Sequence, residues 1–396
     1  MNDLPRLLDA LSLAQTDGQQ AVIATVVKVE GSAYRRPGAR MVIPQIGNAT
    51  GTVSGGCLES DVSKKAWWLT ANGKPAMRTY STGEDDDELE DAELSFGLGC
   101  NGTVHILFER TCAARPSLAV QVLQWVQTHS RPAALATVIA STVEAQVAIG
   151  DRVAVSAGDQ HAPDQWQPTL RERGLSQVIS ADLQAILRSE KSAIGHYDAG
   201  NGAVEVLLEY IAPPRRLVIF GAGHDAVPLV SMARLQGWHT TVIDARSHFA
   251  RAERFIDADQ VLTLPLQPYA GMQTLIDDAA VVVMTHSLSQ DRYWLSQVLN
   301  LNPRYIGQLG PRSRTERLLD EMADPARALP AFAKLHFPVG LDLGGDTPHS
   351  VALSILAEIN AVLNQRQGGM LKYRQASIHA ADALMPGEPG LLQLGA

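Results

Sequence analysis

Cysteine is scarce in this chain. The three cysteines among 396 residues, Cys57, Cys100 and Cys112, are too few and too widely spaced for a disulfide scaffold or a Cys-x-x-Cys zinc site. Whatever chemistry they carry, they carry as thiols. Aromatic residues make up only 5% and charged residues 19%, but 45% of the chain is hydrophobic, which excludes a disordered, collagen-like or coiled-coil protein. No apolar run approaches the ~20 residues that span a bilayer. Met1 to Gln20, interrupted by Asp3, Arg6, Asp9 and Asp17, does not read as a secretory signal, so a cytoplasmic location without membrane attachment is expected. Basic residues are outnumbered, 33 against 42, for a formal charge of −9. The excess is local: Glu84 to Glu93 holds eight carboxylates and no base, which leaves the remainder near neutral. A basic face for nucleic acid is therefore not expected. The acidic run reads as a solvated loop, with partner docking or metal collection as alternatives.

Hydrophobic patterning predicts an α/β protein with two domains and a tail: 1–212, a mixed α+β domain; 213–366, a Rossmann-like doubly wound parallel sheet; and 367–396. Leu4, Leu7, Leu8, Leu11 and Leu13 mark an amphipathic helix, and Ala21 to Val29 a buried strand. The glycine- and arginine-rich loop Gly31 to Arg40 leads to a strand at Met41 to Ile43, a Gly47-Asn48 turn and a helix over Cys57 to Leu69. Residues 116–211 read as two helices and several short strands without a nameable motif, and no internal repeat is detected. Pro213-Pro214 is the best linker. Beyond it strands and helices alternate: strands at LVIF, HTTVID and the buried run 280–285, helices beginning near Ser247 and Asp291, and a helix opened by Thr347-Pro348.

Several constellations carry chemistry. Gly221-Ala222-Gly223-His224-Asp225-Ala226 is a G-x-G-x-x-A fingerprint between a strand and a helix, with Asp244 ending the next strand 23 positions after Gly221, where a carboxylate would accept from a ribose. His286 follows the buried strand at the sheet edge where ligands bind, as a proton carrier or ligand contact. Asp291 reads as a helix cap. Arg312 and Arg314 suit an anion. In the first domain Tyr34, Arg35, Arg36 and Arg40 can hold a phosphate and stack on a planar ring. Cys57 follows Gly55-Gly56 at a helix start, where a thiol is acidified, and Cys100 follows Phe96-Gly97-Leu98-Gly99; such thiolates suit sulfur-binding metals and persulfide exchange. The plainer alternative for any of the three cysteines is a small buried hydrophobe.

Taken in order, GSAYRRPGARMVI, GTVSGGCLESDV, FGLGCNGTVHILFE, LVIFGAGHDAVPLV, VVVMTHS, YIGQLGPRSRT and PVGLDLGGDTPHSVALSILAEINAV resemble the XdhC/CoxI family of xanthine dehydrogenase accessory proteins. The resemblance implies a chaperone, without turnover of its own, that binds molybdenum cofactor. It would support sulfuration of that cofactor with a cysteine desulfurase, protect it and insert it into an apo molybdenum hydroxylase. It further implies that Cys57 and Cys100 are the family's cysteine positions, acting as metal or sulfur-handling groups, and that Gly221 and Gly223 belong to its Rossmann signature. The expected cofactor-binding set is Arg35, Arg36, Arg40, Gly55, Gly56, Gly221, Gly223, His224, Asp225, Asp244, His286 and Arg312, arranged about one crevice. A homodimer is expected by base rate alone. The alternative is an NAD(P)-dependent oxidoreductase with His286 as acid or base and Asp244 on the ribose. A third reading is a docking scaffold built on the acidic loop.

Overall fold

The computed structural model describes residues 4–81, 102–158, 166–199, 202–322 and 326–373. The acidic run 84–93, Cys100 and the chain beyond Tyr373 lie outside the described residues. The chain divides into two compact units at Pro213 and Pro214.

In the first unit the order is α1 (Leu4–Thr16), β1 (Ala21–Gly31), β2 (Arg40–Pro44), β3 (Thr50–Gly51), α2 (Glu59–Leu69), β4 (Ala76–Ser81), β5 (Gly102–Thr111), α3 (Leu118–His129), β6 (Ala133–Ser141), β7 (Arg152–Ser156), α4 (Arg173–Ser189), β8 (Ala193–Asp198) and β9 (Ala203–Ile211). These form two antiparallel sheets, β3-β2-β1-β5-β4 and β7-β6-β9-β8. Leaving aside the two-residue β3, each half runs helix, two strands, helix, two strands, and the sheet orders correspond strand for strand.

The correspondence reaches single residues. Thr25 pairs with Arg40 across β1 and β2 as Thr137 pairs with Arg152 across β6 and β7. Ile23 faces Glu109 as Leu135 faces Glu209. The register shifts between Val26 and Lys28 in one half and between Val138 and Ala140 in the other. The expectation of no internal repeat is therefore corrected: the unit is a tandem duplication. The surviving identities include Ala-Thr-Val at 24–26 and 136–138, Gly-x-Arg at 38–40 and 150–152, and Gly, Val, Leu and Glu at 102, 104, 107 and 109 against 202, 204, 207 and 209; they are scattered and their offset changes along the chain, so they do not register as a period.

The halves hold each other reciprocally. Arg40 donates to Glu209 of the second half at 2.7 and 2.5 Å, and Arg152 makes the mirror pair with Glu109. All four side chains are buried. Buried pairs of this kind contribute less by their attraction than they cost when one partner is removed, about 3–5 kcal/mol. Between the sheets Val27 and Leu107 meet Ile139 and Leu207. Helices cover the outer faces: α1 and α3 through Leu4, Leu118, Val122 and Trp125, α2 through Val62 and Ala66, and α4 through Leu175, Ile179 and Leu183.

The second unit comprises β10 (Arg216–Phe220), α5 (Ala226–Leu235), β11 (His239–Asp244), β12 (Gln260–Thr263), α6 (Met272–Ile276), β13 (Ala280–Val283), α7 (Leu288–Leu299), β14 (Tyr305–Gln308), α8 (Arg312–Asp320), β15 (Leu335–His336) and α9 (Pro348–Leu363). Its six strands are all parallel in the order β12-β11-β10-β13-β14-β15, the doubly wound Rossmann order with its switch point between β10 and β13. Both faces of the central strands are buried, as alternation along β10 shows: Leu217 and Ile219 pack with Leu229 of α5 and Ile355 of α9, and Val218 and Phe220 with Ile276 of α6 and Trp294 of α7. Thr347 caps α9 by accepting from Ser350 N–H at 3.2 Å, ahead of Pro348.

Two element expectations change. The helix expected near Ser247 is absent: the connection from β11 to β12 is turn and a 3-10 segment, Ala252–Arg254. The helix expected from Asp291 begins at Leu288, with Ser287 as its N-cap.

Candidate functional site

In the first unit the glycine-arginine loop leaves β1 at Gly31 and returns into β2 at Arg40. Its base is fixed from the other half of the duplication, because Arg40 bridges Glu209 and the Gly38 carbonyl, at 2.9 Å. Gly38 has φ +94°, and a Cβ there would lie 2.7 Å from the Glu209 carboxylate, so the turn and the ion pair require each other. The expectation that Arg40 faces a ligand is therefore corrected. It is buried in a structural pair.

Tyr34, Arg35 and Arg36 occupy the outer part of the loop. The Tyr34 ring is exposed and lies against the backbone of Gly55, where a Cβ would meet its Cδ1 at 3.3 Å. The Arg35 guanidinium sits 5.7 Å from the centre of that ring. Arg36 is half-buried, and its interior Nε has no hydrogen-bond partner among the described residues. The arginine loop and the loop carrying Gly55, Gly56 and Cys57 are thus in contact.

That second loop is wound around one carboxylate. Glu59, the first residue of α2, accepts from Val53 N–H at 3.1 Å, Ser54 N–H at 2.9 Å, Gly56 N–H at 2.9 Å and Ser54 Oγ at 2.6 Å, and from the Thr52 hydroxyl. Burial alone would raise its pKa, but the Ser54 and Thr52 donors prevail and hold it at about 2. Cys57 lies on the exposed outer edge of this loop, just before Leu58, whose side chain is buried. The expectation of a helix from Cys57 shifts by two residues, and Cys57 is not a buried hydrophobe. Cys112 is partly buried in a turn that bridges to Arg115. Gly102, the second residue after Cys100, pairs with Gly31 and abuts the Ser32 carbonyl. Sequence reasoning missed Glu59, although its place two residues after the cysteine and at a helix start was a legible signal.

In the second unit Gly221 ends β10 at the switch point with φ +119°, and a Cβ there would stand 2.5 Å from the Met284 carbonyl following β13. Only glycine fits this crossing. The next turn of chain brings Gly223 under the His286 ring. His286, at the left-handed φ of +61° that few non-glycine residues adopt, places Nε2 3.2 Å from Asp225. His224 is exposed and faces a depression of about 450 Å³ lined also by Pro228, Pro348 and His349. Arg312 is exposed, its guanidinium 5.1 Å from the centre of the Phe337 ring.

Asp244 departs from the expected ribose contact. Its carboxylate is fully buried and accepts from Ala222 N–H at 2.8 Å, Arg246 N–H at 2.9 Å, Arg246 Nε at 2.9 Å and Arg246 Nη2 at 2.8 Å. Burial alone would raise its pKa; the Arg246 and Ala222 donors keep it below the usual range. Strand order and glycine turn fit a dinucleotide, and this carboxylate does not fit a ribose diol. Asp291, expected as a cap, is a buried hub. It accepts from Thr285 N–H and Oγ at 3.0 and 2.5 Å, Gln308 Nε2 at 3.1 Å and Arg314 Nη1 at 2.5 Å, tying the ends of β13 and β14 to α8. Among the described residues no group of three His, Cys, Asp or Glu is placed to hold a metal, and no helix is long and apolar enough to cross a membrane.

Fold and loops define a two-unit protein in which a Rossmann unit is joined to a duplicated antiparallel unit carrying an exposed glycine-loop thiol. The model of the XdhC and CoxI family matches residues 14–81, and that of the XdhC Rossmann domain matches 217–359. A Bacillus subtilis protein named as a probable xanthine dehydrogenase subunit is 31% identical over 91% of this chain and 97% of its own length. The molybdenum cofactor insertion chaperone PaoD of Escherichia coli is 23% identical over 90% of this chain and 88% of its own. A solved Bacillus halodurans structure described as a xanthine dehydrogenase superposes with a TM-score of 0.67 at 26% identity, covering 94% of this chain and 99% of that one. The chain belongs to the XdhC/CoxI family.

Proposed function

We propose that this protein is an accessory factor in the maturation of a xanthine dehydrogenase-type molybdoenzyme, with molybdenum cofactor as its cargo. Family membership and similarity to a cofactor-insertion chaperone support the accessory role. One observation carries the site assignment: an exposed thiol on a loop preformed around Glu59 lies beside a loop that presents Arg36 and an exposed Tyr34 ring. A thiolate there is a soft ligand for the metal or its sulfur. Arg36 and Arg35 suit the phosphate of the pterin, and Tyr34 suits its planar ring. Cys100 serves as the second thiol. The apo molybdenum hydroxylase receives the cargo, and a cysteine desulfurase supplies sulfur before transfer. Holding and delivery require no turnover by the chain itself.

The test is to purify the protein from cells that make the cofactor and measure molybdenum and pterin per chain. Cys57→Ala is expected to lower both at least ~10-fold, since loss of a group that merely orients a ligand already costs that much, while Cys112→Ala retains them. Unchanged cargo and unchanged activation of the target enzyme in Cys57→Ala would reject the assignment.

A further inference from the structure

The corner of the Rossmann unit that follows β11 has a chemistry the glycine fingerprint does not announce. A carboxylate that reads a ribose must offer lone pairs to two hydroxyls. Asp244 offers none, since two backbone N–H groups and two nitrogens of Arg246 occupy it. The group that reaches the surface instead is Arg246, with a side chain 32% exposed. Its guanidinium is stacked 4.1 Å from the centre of the Phe249 ring, and Nη1 is uncommitted among the described residues.

Arg254 approaches the same ring at 5.3 Å and donates at 2.9 Å to the carbonyls of Phe249 and Ala222. The glycine turn is therefore gripped on both sides of one residue, Asp244 on the Ala222 N–H and Arg254 on its C=O. Arg246 and Arg254 are each tied to that grip. The His248 ring lies beside that of Phe249, with ring centres 4.5 Å apart, and Arg251 is exposed. From Arg246 to Arg254 only Glu253 opposes these cations. Arg246, through Asp244, and Arg254, through the Ala222 carbonyl, are thereby held beside the glycine turn.

We infer that this corner binds a phosphate monoester and discriminates against an unphosphorylated ribose diol. A guanidinium fixed by a buried carboxylate and an aromatic face is pre-organised for a dianion, whereas a diol there would meet donors without an acceptor. Two sources carry the group: the 2′-phosphate of a dinucleotide, and the terminal phosphate of a pterin. The dinucleotide source is independent of the cargo role proposed for Cys57, whereas the pterin source would move the cargo's phosphate from Arg35 and Arg36 to this corner, an outcome that the Arg246 variants distinguish.

Full-length protein freed of bound cofactor is titrated calorimetrically with NADP⁺ against NAD⁺, and with a phosphorylated pterin against its dephosphorylated form. At least one pair shows ~10-fold or greater preference for the phosphorylated member, and the pair that shows it identifies the source. Arg246→Gln keeps a donor for Asp244 while removing the charge. Measured at a temperature where the variant, weakened by the lost charge beside buried Asp244, is still folded, it brings the preference close to unity, and Arg246→Lys retains part of it. No preference in either pair, or a preference undiminished in Arg246→Gln, overturns the inference.

Discussion

At Glu59 a single side chain organises the loop that presents Cys57, and its ionisation can be followed through stability. A carboxyl held at about 2 against an ordinary value near 4.5 stabilises the fold fully above about pH 4.5, and this contribution is lost as pH falls from there toward 2. A displacement of that size corresponds to at most about 3 kcal/mol. Solvent at the partly exposed group reduces it to about 1–2 kcal/mol. Glu59→Gln is expected to lower stability by that amount at pH 7 and to flatten the acid limb of the stability curve between pH 4.5 and 2. It should also speed reaction of Cys57 with a thiol reagent as the loop loosens. Equal acid limbs in the two proteins would sink this account. Residue type alone revealed where charge sits and not whom it serves. Arg35, Arg36 and Arg40 lie in one short loop, and Arg40 meets a carboxylate 169 residues away. Asp244 and Asp291 were legible as acids at strand or helix ends; the nearby donors, Arg246 and Thr285, were in plain view, while Ala222, Gln308 and Arg314 are brought in by the sheet from segments that the sequence does not place beside them.

Elements read best where periodicity and burial agree. The parallel sheet was legible because its central strands are buried on both faces and so appear as unbroken β-branched runs, and Thr347-Pro348 marked α9 correctly. The segment from Ser247 misled because a helix is the usual connection between parallel strands, whereas here Arg246 and Arg254 are drawn to Asp244 and Ala222. The local Arg246–Asp244 pair and the long-range bond from Arg254 to Ala222 outweigh a weak local propensity. The elements of the second unit's sheet edge depend on Asp291 in the same way. Asp291→Ala leaves Arg314 without its carboxylate partner and Gln308 with the Leu309 carbonyl alone, and should cost about 3 kcal/mol. Thr347→Ala removes one cap bond from α9 and should cost about 1 kcal/mol. Denaturant titration of both variants checks the ranking, which fails if the cap proves the more costly.

At the scale of the molecule, the duplication supplies its own control. Arg40–Glu209 and Arg152–Glu109 are equivalent by topology, burial and register, so breaking either should destabilise the first unit similarly, by about 3–5 kcal/mol. They differ in what they adjoin. Glu209 packs against Gly38 and, through Arg40, fixes the base of the loop that bears Tyr34, Arg35 and Arg36. Glu109 anchors Arg152 at the end of the corresponding loop, 141–152, which carries no arginine before it. One half of the ancestral repeat thus retains a charged loop and a thiol loop, and the other retains the scaffold. Glu209→Gln and Glu109→Gln are therefore expected to lower the unfolding midpoint alike, while only Glu209→Gln reduces cargo per chain, by about tenfold, as loss of an orienting partner does. Measured at a temperature where both variants are folded, equal losses of cargo would mean that the ion pairs act through stability alone. A selective loss would separate the positioning of the arginine loop from the holding together of the two halves.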